Sequence, residues 1–246
     1  MPEPFTLVTW NVLHRIHADN WREPAIGQHP DEATRIASIT AWIAARVGRV
    51  AIHLLQEVSG DQLASLRAAV RAPAQVLSAP YPRVPRPRAG PTPLVDPTEH
   101  LVAVTAGAAR TLHAEAFADD PGKGFLAIEH AGVVALSVHL SAGARHRGQW
   151  ARLAEHARTY PGVVVIGGDF NADHATAVAQ LGPAFAVSPV PAASRPTRPR
   201  AAPSDKSQTI DHVAVRGAAA TVTVVDGEGR SDHNPVEARI DPDAGG

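Results

Sequence analysis

The sequence predicts an α/β fold in which two mostly antiparallel sheets pack face to face with helices on their outer surfaces. Short β-forming apolar runs occur in both halves of the chain, while helix-periodic stretches are few, so strands must bury their faces chiefly against other strands. Several of these runs stop abruptly at Asn, Glu or Asp, as strands do when they deliver a hydrophilic side chain to a sheet rim, where ligands bind. With 246 residues and 44% apolar composition the chain can build one large core, and one domain over residues 1–246 is expected.

The elements follow in order. Phe5 to Trp10 is a run of β-formers ending at Asn11. Asp31, after Pro30, caps a helix reaching about Val47, in which Ile36, Ile39, Ile43 and Val47 recur on one face. Val50 to Leu55 is a short strand that delivers Gln56 and Glu57, and Ser59 with Gln62 fits a capping box opening a helix toward Arg71. Between Ala79 and Glu99, Pro80, Pro82, Pro85, Pro87, Pro91, Pro93 and Pro97 remove too many amides for a ladder or helix interior, so this stretch is a surface loop.

Strands are expected at roughly 101–106, 111–117, 124–129 and 132–140, joined as antiparallel meanders by Gly-containing turns. His146 to about Thr159 is a helix, Val163 to Gly167 a strand stopping at Asp169–Asn171, and a further helix starts near Asp173. A second Pro-rich loop, carrying Pro189, Pro191, Pro196, Pro199 and Pro203, precedes strands at 208–215, 220–225 and 235–240.

The polar endings carry the chemistry. They are Trp10-Asn11, Gln56-Glu57, Gly168-Asp169-Phe170-Asn171, Ile210-Asp211-His212 and Ser231-Asp232-His233-Asn234-Pro235. Converging, they would form a carboxylate-rich pocket for a hard cation. The chain has no cysteine, which excludes disulfides, thiolate nucleophiles and Cys-ligated zinc and leaves oxygen and imidazole donors. Mg²⁺, with Mn²⁺ as its substitute, takes one or two carboxylates and keeps waters and substrate phosphate. Glu57 is the first ligand on this reading, with Asp232, Asp169 and Asn11 supplying further oxygens to the ion or its waters. Asn11 and Asn171 add donors without negative charge that would repel a phosphate.

Most of the thirteen histidines are expected to be structural. His139 stands out because Val134, Leu136, Val138 and Leu140 share one face of its strand, leaving His139, Ser137 and Ala135 on the other. His233 stands out through Asp232 beside it and Asp211 on a neighbouring strand, which can fix its tautomer and raise its pKa. A charged ring would stabilise a phosphorane-like transition state, and a neutral one would accept a proton from water.

Asn11, Gln56-Glu57, His139, Gly168-Asp169-Phe170-Asn171, Asp211 and Ser231-Asp232-His233 together resemble the endonuclease/exonuclease/phosphatase superfamily, the deoxyribonuclease-I-like fold, in its order and over nearly the whole chain. The resemblance implies a four-layer α/β/β/α sandwich. It implies that Glu57 holds the divalent metal, with Asn11 and Asp232 completing or supporting its shell. Asp169 would orient or deprotonate the attacking water, Asn171 would position that water or a phosphate oxygen, and His139 would contact the scissile phosphate. Asp211 would pair with His233. Arg147 and Gln149 resemble a further family feature that shapes the site. One strand departs from the family, opening on Glu99-His100 rather than Asn-Gly and ending in Val104-Thr105 rather than Ser-Arg.

The implied activity is metal-dependent phosphoester hydrolysis by in-line water attack. A phosphodiesterase or nuclease acting on nucleic acid or nucleotides is the first expectation, and a phosphomonoesterase or a phospholipid or inositol-phosphate headgroup hydrolase is the alternative. An inert binding module would have lost Glu57, Asp169 or His233, and none is lost. A zinc site at His14 and His17 lacks a compact His-Glu-x-x-His spacing, and no P-loop or nucleophile elbow is present. Arg83, Arg86 and Arg88 in the first Pro-rich loop, with Arg195, Arg198, Arg200 and Lys206 in the second, would attract a polyanion if both loops border the site. The net charge of −1 and 4% aromatics speak against a broad duplex footprint and favour a short, single-stranded or small phosphorylated substrate. No apolar run spans a membrane and the sequence enters its first strand without a leader, so a cytoplasmic chain is expected.

Overall fold

The computed structural model describes residues 3–143, 146–199 and 207–244. Strands β1 (Phe5–Asn11), β2 (Ile52–Ser59), β3 (Gln75–Pro80), β4 (Glu99–Thr105), β11 (Ala219–Val224) and β12 (Val236–Asp241) form one sheet, in the order β11-β12-β1-β2-β4-β3. Strands β5 (Ala109–Phe117), β6 (Asp120–His130), β7 (Val133–His139), β8 (Val164–Asp169), β9 (Ala186–Val187) and β10 (Asp211–Arg216) form the other, ordered β5-β6-β7-β8-β10-β9. The strand pairings are antiparallel except β1 with β2 and β7 with β8. Helices are α1 (Arg15–Trp21), α2 (Pro24–Gln28), α3 (Glu32–Ala44), α4 (Gly60–Ala69), α5 (His146–Arg158) and α6 (His174–Leu181).

Three apolar seams make four layers of this arrangement. Leu7, Ile52, Leu54 and Leu101 of the first sheet meet Leu126, Ile128, Val165 and Val213 of the second in the central seam. Alternate residues point outward: Val8, Leu55 and Val104 pack under Ile39 and Ile43 of α3 and Leu63 and Leu66 of α4. On the far side Leu136, Val138 and Ile166 pack against Trp150 and Leu153 of α5 and Leu181 of α6. The sandwich expected from the sequence is therefore present. Gly168 is required in β8 beside β7, since a Cβ there would sit 1.9 Å from the Val138 carbonyl oxygen.

Capping agrees with the sequence at several helix starts. Asp31, Ser59 and Asp173 accept from the backbone N–H of Thr34, Gln62 and Thr176. The capping box is only half made, because the Gln62 amide instead donates to Thr40 Oγ1 (2.8 Å), tying α4 to α3. Helix α3, expected to reach about Val47, stops at Ala44. Strand β4 is not part of a continuous meander with the strands after it: it pairs with β2 and β3, and the chain then crosses to the second sheet, leaving β5-β6-β7 as the meander. Strand β3 was hidden because it is an edge strand paired only with β4, where Pro80 does not interrupt an interior ladder. Helices α1 and α2 are too short to carry a periodic signal.

His53 is fully buried on the helix-facing side of β2, between Val8 and Val104 in the ladder. Burial first, and the Arg46 cation second, push its pKa down to about 3. An unfolded chain protonates this ring near pH 6.5, whereas the folded one does not until about 3. Stability is thus lost as pH falls through that window, by up to about 1.4 kcal/mol per pH unit. His53→Leu should flatten this slope in urea titrations at pH 7, 6 and 5. An identical slope in both proteins would contradict the buried neutral ring.

Candidate active site

One edge of the sandwich collects polar strand ends from both sheets. The parallel pairs set it: β1 ends at Asn11 opposite Gln56 of β2, and β7 and β8 end together with His139 opposite Asp169. Antiparallel neighbours begin where those strands end. Asp211 opens β10 opposite Asp169, Glu99 opens β4 opposite Ser59, and Lys123 precedes Gly124, the partner of His139. Ser231–Pro235 lead straight into β12, whose Val236 pairs with Thr9. An open cleft of about 1260 Å³ results, lined by Glu57, His139, Asp169, Asn171, Asp232 and His233 among others.

Glu57 reaches the cleft through a β-bulge. The β2–β4 register shifts between Leu55 and Val58, and Glu57 adopts φ +57°. Regular alternation would have sent it after Leu55 into the helix-facing core. Gln56 turns into the seam between sheets, where its amide donates to Thr9 Oγ1 (3.2 Å) and Ser137 Oγ (3.0 Å). Glu57 Oε2 accepts from the His14 N–H (3.1 Å). Burial pushes its pKa up, but His17, His139 and Lys123 together outweigh this and hold it well below the usual carboxylate range.

Asp169 is the most constrained carboxylate. Its Oδ1 accepts from the Asn171 N–H (2.9 Å), its Oδ2 accepts from Asn11 Nδ2 (3.1 Å), and His139 Nε2 lies 3.4 Å away. Burial opposes ionisation, yet the charges of His233, His139 and Lys123 keep its pKa far below the ordinary value. Asn171 sits at φ +48°, a conformation Asn tolerates, with its side-chain amide donating to the Leu140 carbonyl (2.8 Å). Asn11 has its oxygen engaged by the Leu13 N–H (3.0 Å), so towards Asp169 it presents a donor rather than an oxygen.

His233 Nδ1 is 2.8 Å from Asp211 Oδ2, while its Nε2 faces Asp169 Oδ2 (3.8 Å) and Asp232 Oδ2 (3.9 Å). Burial lowers its pKa, but Asp211, Asp232 and Asp169 raise it further, to about 10. The ring is therefore an imidazolium at neutral pH. Asp232 is itself held by the Arg198 guanidinium (2.8 Å), which also pairs with Glu23 (3.0 Å). The turn carrying His233 is pinned to β1: Ser231 Oγ donates to the Asn11 carbonyl (2.7 Å) and Trp10 Nε1 donates to the His233 carbonyl (2.9 Å). Beneath it, the buried Arg35 guanidinium pairs with Glu32 and donates to the carbonyls of Val12, Leu13 and Arg230.

The structure brings Asn11, Glu57, His139, Asp169, Asn171, Asp211, Asp232 and His233 to this one edge. Four residues beside them were not assigned to this site from the sequence: Lys123 was unmarked, His17 was weighed only for zinc, Glu99 only as a family departure and Arg198 only as a loop cation. The Lys123 ammonium lies against the His139 ring nitrogens. His17 Nε2 lies 3.1 Å from Glu99 Oε2, and ring nitrogen and carboxylate oxygens of His17, Glu57 and Glu99 fall within 4.8 Å of one another. Arg198 completes the set. Gln149, expected to shape the site, accepts from the Ser141 N–H (2.8 Å) just past β7; the Arg147 side chain lies outside the described residues. In the Pro-rich loops, Arg83, Arg86 and Arg88 all line the cleft, whereas Arg195 pairs with Asp226 and Arg198 is spent on carboxylates. Arg200 and Lys206 lie outside the described residues.

The donor set suits a hard cation. Glu57, part-buried, and Glu99, buried, are carboxylates with depressed pKa values, and Glu99 Oε1 has no hydrogen-bond partner among the described residues. A divalent ion beside Glu57 would answer both the excess negative charge and the unpaired oxygen. The second group, Asp169, Asp211 and His233, is already satisfied by its own hydrogen bonds and reads as a charge relay rather than a cage.

A sequence model of the Endonuclease/Exonuclease/phosphatase family matches residues 8–233. The chain belongs to this family. Among solved structures it is similar to an endonuclease/exonuclease/phosphatase from Bacteroides vulgatus, at 14% identity and TM-score 0.69 over 98% of this chain and 99% of that one. It is also similar to truncated Caenorhabditis elegans TDP2, at 15% identity and TM-score 0.63, with 97% and 98% covered. D. rerio TDP2, complexed with single strand DNA product, aligns at 13% identity and TM-score 0.65 over 98% and 100%. No curated protein matches the chain in sequence. As a member of the endonuclease/exonuclease/phosphatase family the chain is a phosphoric ester hydrolase that depends on a divalent metal. None of its described helices is long and apolar enough to cross a membrane.

Proposed function

We propose that this enzyme is a Mg²⁺-dependent phosphodiesterase that hydrolyses nucleic acid or nucleotide diesters by in-line attack of water. The observation that carries the reading is the placement, across one cleft, of the Asp169 carboxylate, fixed by the Asn171 N–H and the Asn11 amide, opposite His233 Nε2 at 3.8 Å, with the other ring nitrogen of His233 held by Asp211. His233 already holds a proton and cannot accept one, so the base role falls to Asp169. Asp169 accepts a hydrogen bond from the attacking water and takes its proton as the new O–P bond forms. Its orientation comes from the Asn171 N–H and Asn11 amide, which leave the carboxylate no freedom to turn away. His233, His139 and Lys123 present positive charge or N–H donors to the phosphoryl oxygens as charge develops there.

Glu57 would be the principal metal ligand, with Glu99 alongside, and with Asn11 and Asp232 holding neighbouring groups in place. The ion would supply charge neutralisation on the phosphate and leaving oxygen. Support for a diester of nucleic acid comes from the size of the cleft, larger than the ~300–1,000 Å³ of ordinary small-ligand pockets, and from the similar TDP2 fold bound to single-stranded DNA product.

Three measurements test this. Oligonucleotides, inositol phosphates, phospholipid headgroups and phosphomonoesters are screened with Mg²⁺, with Mn²⁺ and with EDTA; cleavage confined to monoesters or headgroups would overturn the proposal. Glu57→Gln should raise the Mg²⁺ concentration for half-maximal rate by about 10–100-fold. Mn²⁺ binding followed by electron paramagnetic resonance should weaken in parallel. Unchanged binding there would remove Glu57 from the metal site.

A further inference from the structure

The mouth of the cleft carries an aromatic and cationic lip that neither the metal nor the hydrolytic groups require. Trp21, the last residue of α1, lines the cleft and is 64% exposed, in a chain with four tryptophans of which Trp10, Trp42 and Trp150 are buried. The Arg88 guanidinium lies 4.4 Å from the centre of its ring, and Arg86 lines the cleft beside it.

The lip is built rather than loose. Asn20, next to Trp21, donates from Nδ2 to the Arg86 carbonyl (3.0 Å) and accepts at Oδ1 from the Arg88 N–H (2.8 Å), so one side chain fixes the loop segment on both sides of Pro87. Arg83 pairs with Asp120 (2.7 Å), anchoring the other end of that segment to β6. Arg86 and Arg88 have no carboxylate partner among the described ion pairs, and Arg88 keeps its charge over an aromatic face. Two guanidinium groups without a carboxylate partner among the described ion pairs, one of them over the water-exposed indole, are continuous with the cleft that holds Asp169 and define a subsite for an anion attached to a flat ring.

We infer that Trp21 is a stacking platform for an unpaired base of a single-stranded nucleic acid, with Arg86 and Arg88 holding the flanking phosphates. This rests on the phosphodiesterase reading and names its substrate form. A base in a duplex is already stacked on both faces and has no face to offer Trp21, whereas every unpaired base does. Asn20 acts as a positioning residue that holds the guanidinium groups at the height of the indole.

The test uses fluorescence anisotropy in EDTA, where binding is read without turnover, with three labelled ligands: a single-stranded oligonucleotide, a same-length abasic strand and a duplex. Trp21→Ala should weaken oligonucleotide binding about tenfold and leave the abasic strand unchanged, and Trp21→Phe should recover most of the loss. Arg86→Gln and Arg88→Gln should weaken both single strands and lower the salt slope of log K by about 0.7 each. In Mg²⁺, Trp21→Ala should raise KM on the oligonucleotide with kcat nearly unchanged. Equal loss on bases and abasic strand, or no loss with Trp21→Ala while wild type cleaves the oligonucleotide, overturns the inference alone. Failure of the wild type to cleave any oligonucleotide overturns the phosphodiesterase reading beneath it.

Discussion

Asp169→Asn is expected to lower kcat on a phosphodiester substrate by about 10³-fold while leaving the protein folded. The substitution keeps the shape of the side chain and one acceptor, so the Asn171 N–H retains its partner at the former Oδ1 position. It replaces the other oxygen with an NH₂ group facing the Asn11 Nδ2, which also donates. Two donors then oppose each other in a site that is 2% exposed, a cost on the order of 1–3 kcal/mol. A modest fall in thermal midpoint is therefore expected beside the large kinetic loss. The kinetic effect has a specific cause: an amide cannot take a proton from water, and the neighbouring histidine that might substitute is already charged. Steady-state rates with saturating Mg²⁺, compared with the unfolding midpoint of each protein, separate the two effects. A wild-type rate in Asp169→Asn would remove this residue from the reaction.

Much of the site was legible because chemistry-bearing residues stand where apolar runs end. Asn11 and Asp169 terminate strands, and in an open sheet strand ends are where side chains escape the core, while Glu57 ends the apolar run of β2 and leaves its strand at a bulge. His139 was legible for a different reason: alternation with Val134, Leu136, Val138 and Leu140 separates its face from theirs, and those four do lie in the helix-side core. Glu99 was noticed only as a departure from the family, because its strand partner Ser59 lies far back in the chain, and Lys123 went unmarked because it sits within β6 beside Gly124, the residue paired with His139. Only the pairing register puts them at the same edge. His17 and Trp21 lie on a helix of seven residues, too short for periodicity to declare which side faces the cleft. Arg198 was read as one of several loop cations, and nothing local marks it as the partner of Asp232, thirty-four positions away. The assignment of β4 to the first sheet was likewise a matter of long-range pairing, since the turn at Ala106–Ala108 looks the same whether the chain stays in a sheet or crosses between two.

His233→Ala should cost about 10³-fold in kcat, and Asp211→Asn should cost less but change how rate depends on pH. The alanine removes the imidazolium and leaves Asp211, 1% exposed, without the ring it faces at 2.8 Å. Stability also shifts with a definite sign. The His233 ring has a folded pKa of about 10 against 6.5 when unfolded, so its contribution is fully present below about 6.5 and disappears as pH rises through about 10. Asp211→Asn keeps a hydrogen-bond acceptor at Nδ1 but withdraws the nearest negative charge, while Asp232 and Asp169 remain. The ring pKa must then fall, and the alkaline limb of the pH–rate profile should move to lower pH with kcat near pH 6 largely retained. A purely structural Asp211 would instead lower rates equally at every pH. The comparison therefore tells a residue that tunes charge from one that only holds the turn. Because the ring must carry its proton to stabilise developing negative charge, an alkaline limb that stays in place in Asp211→Asn would show that His233 acts by some means other than that charge.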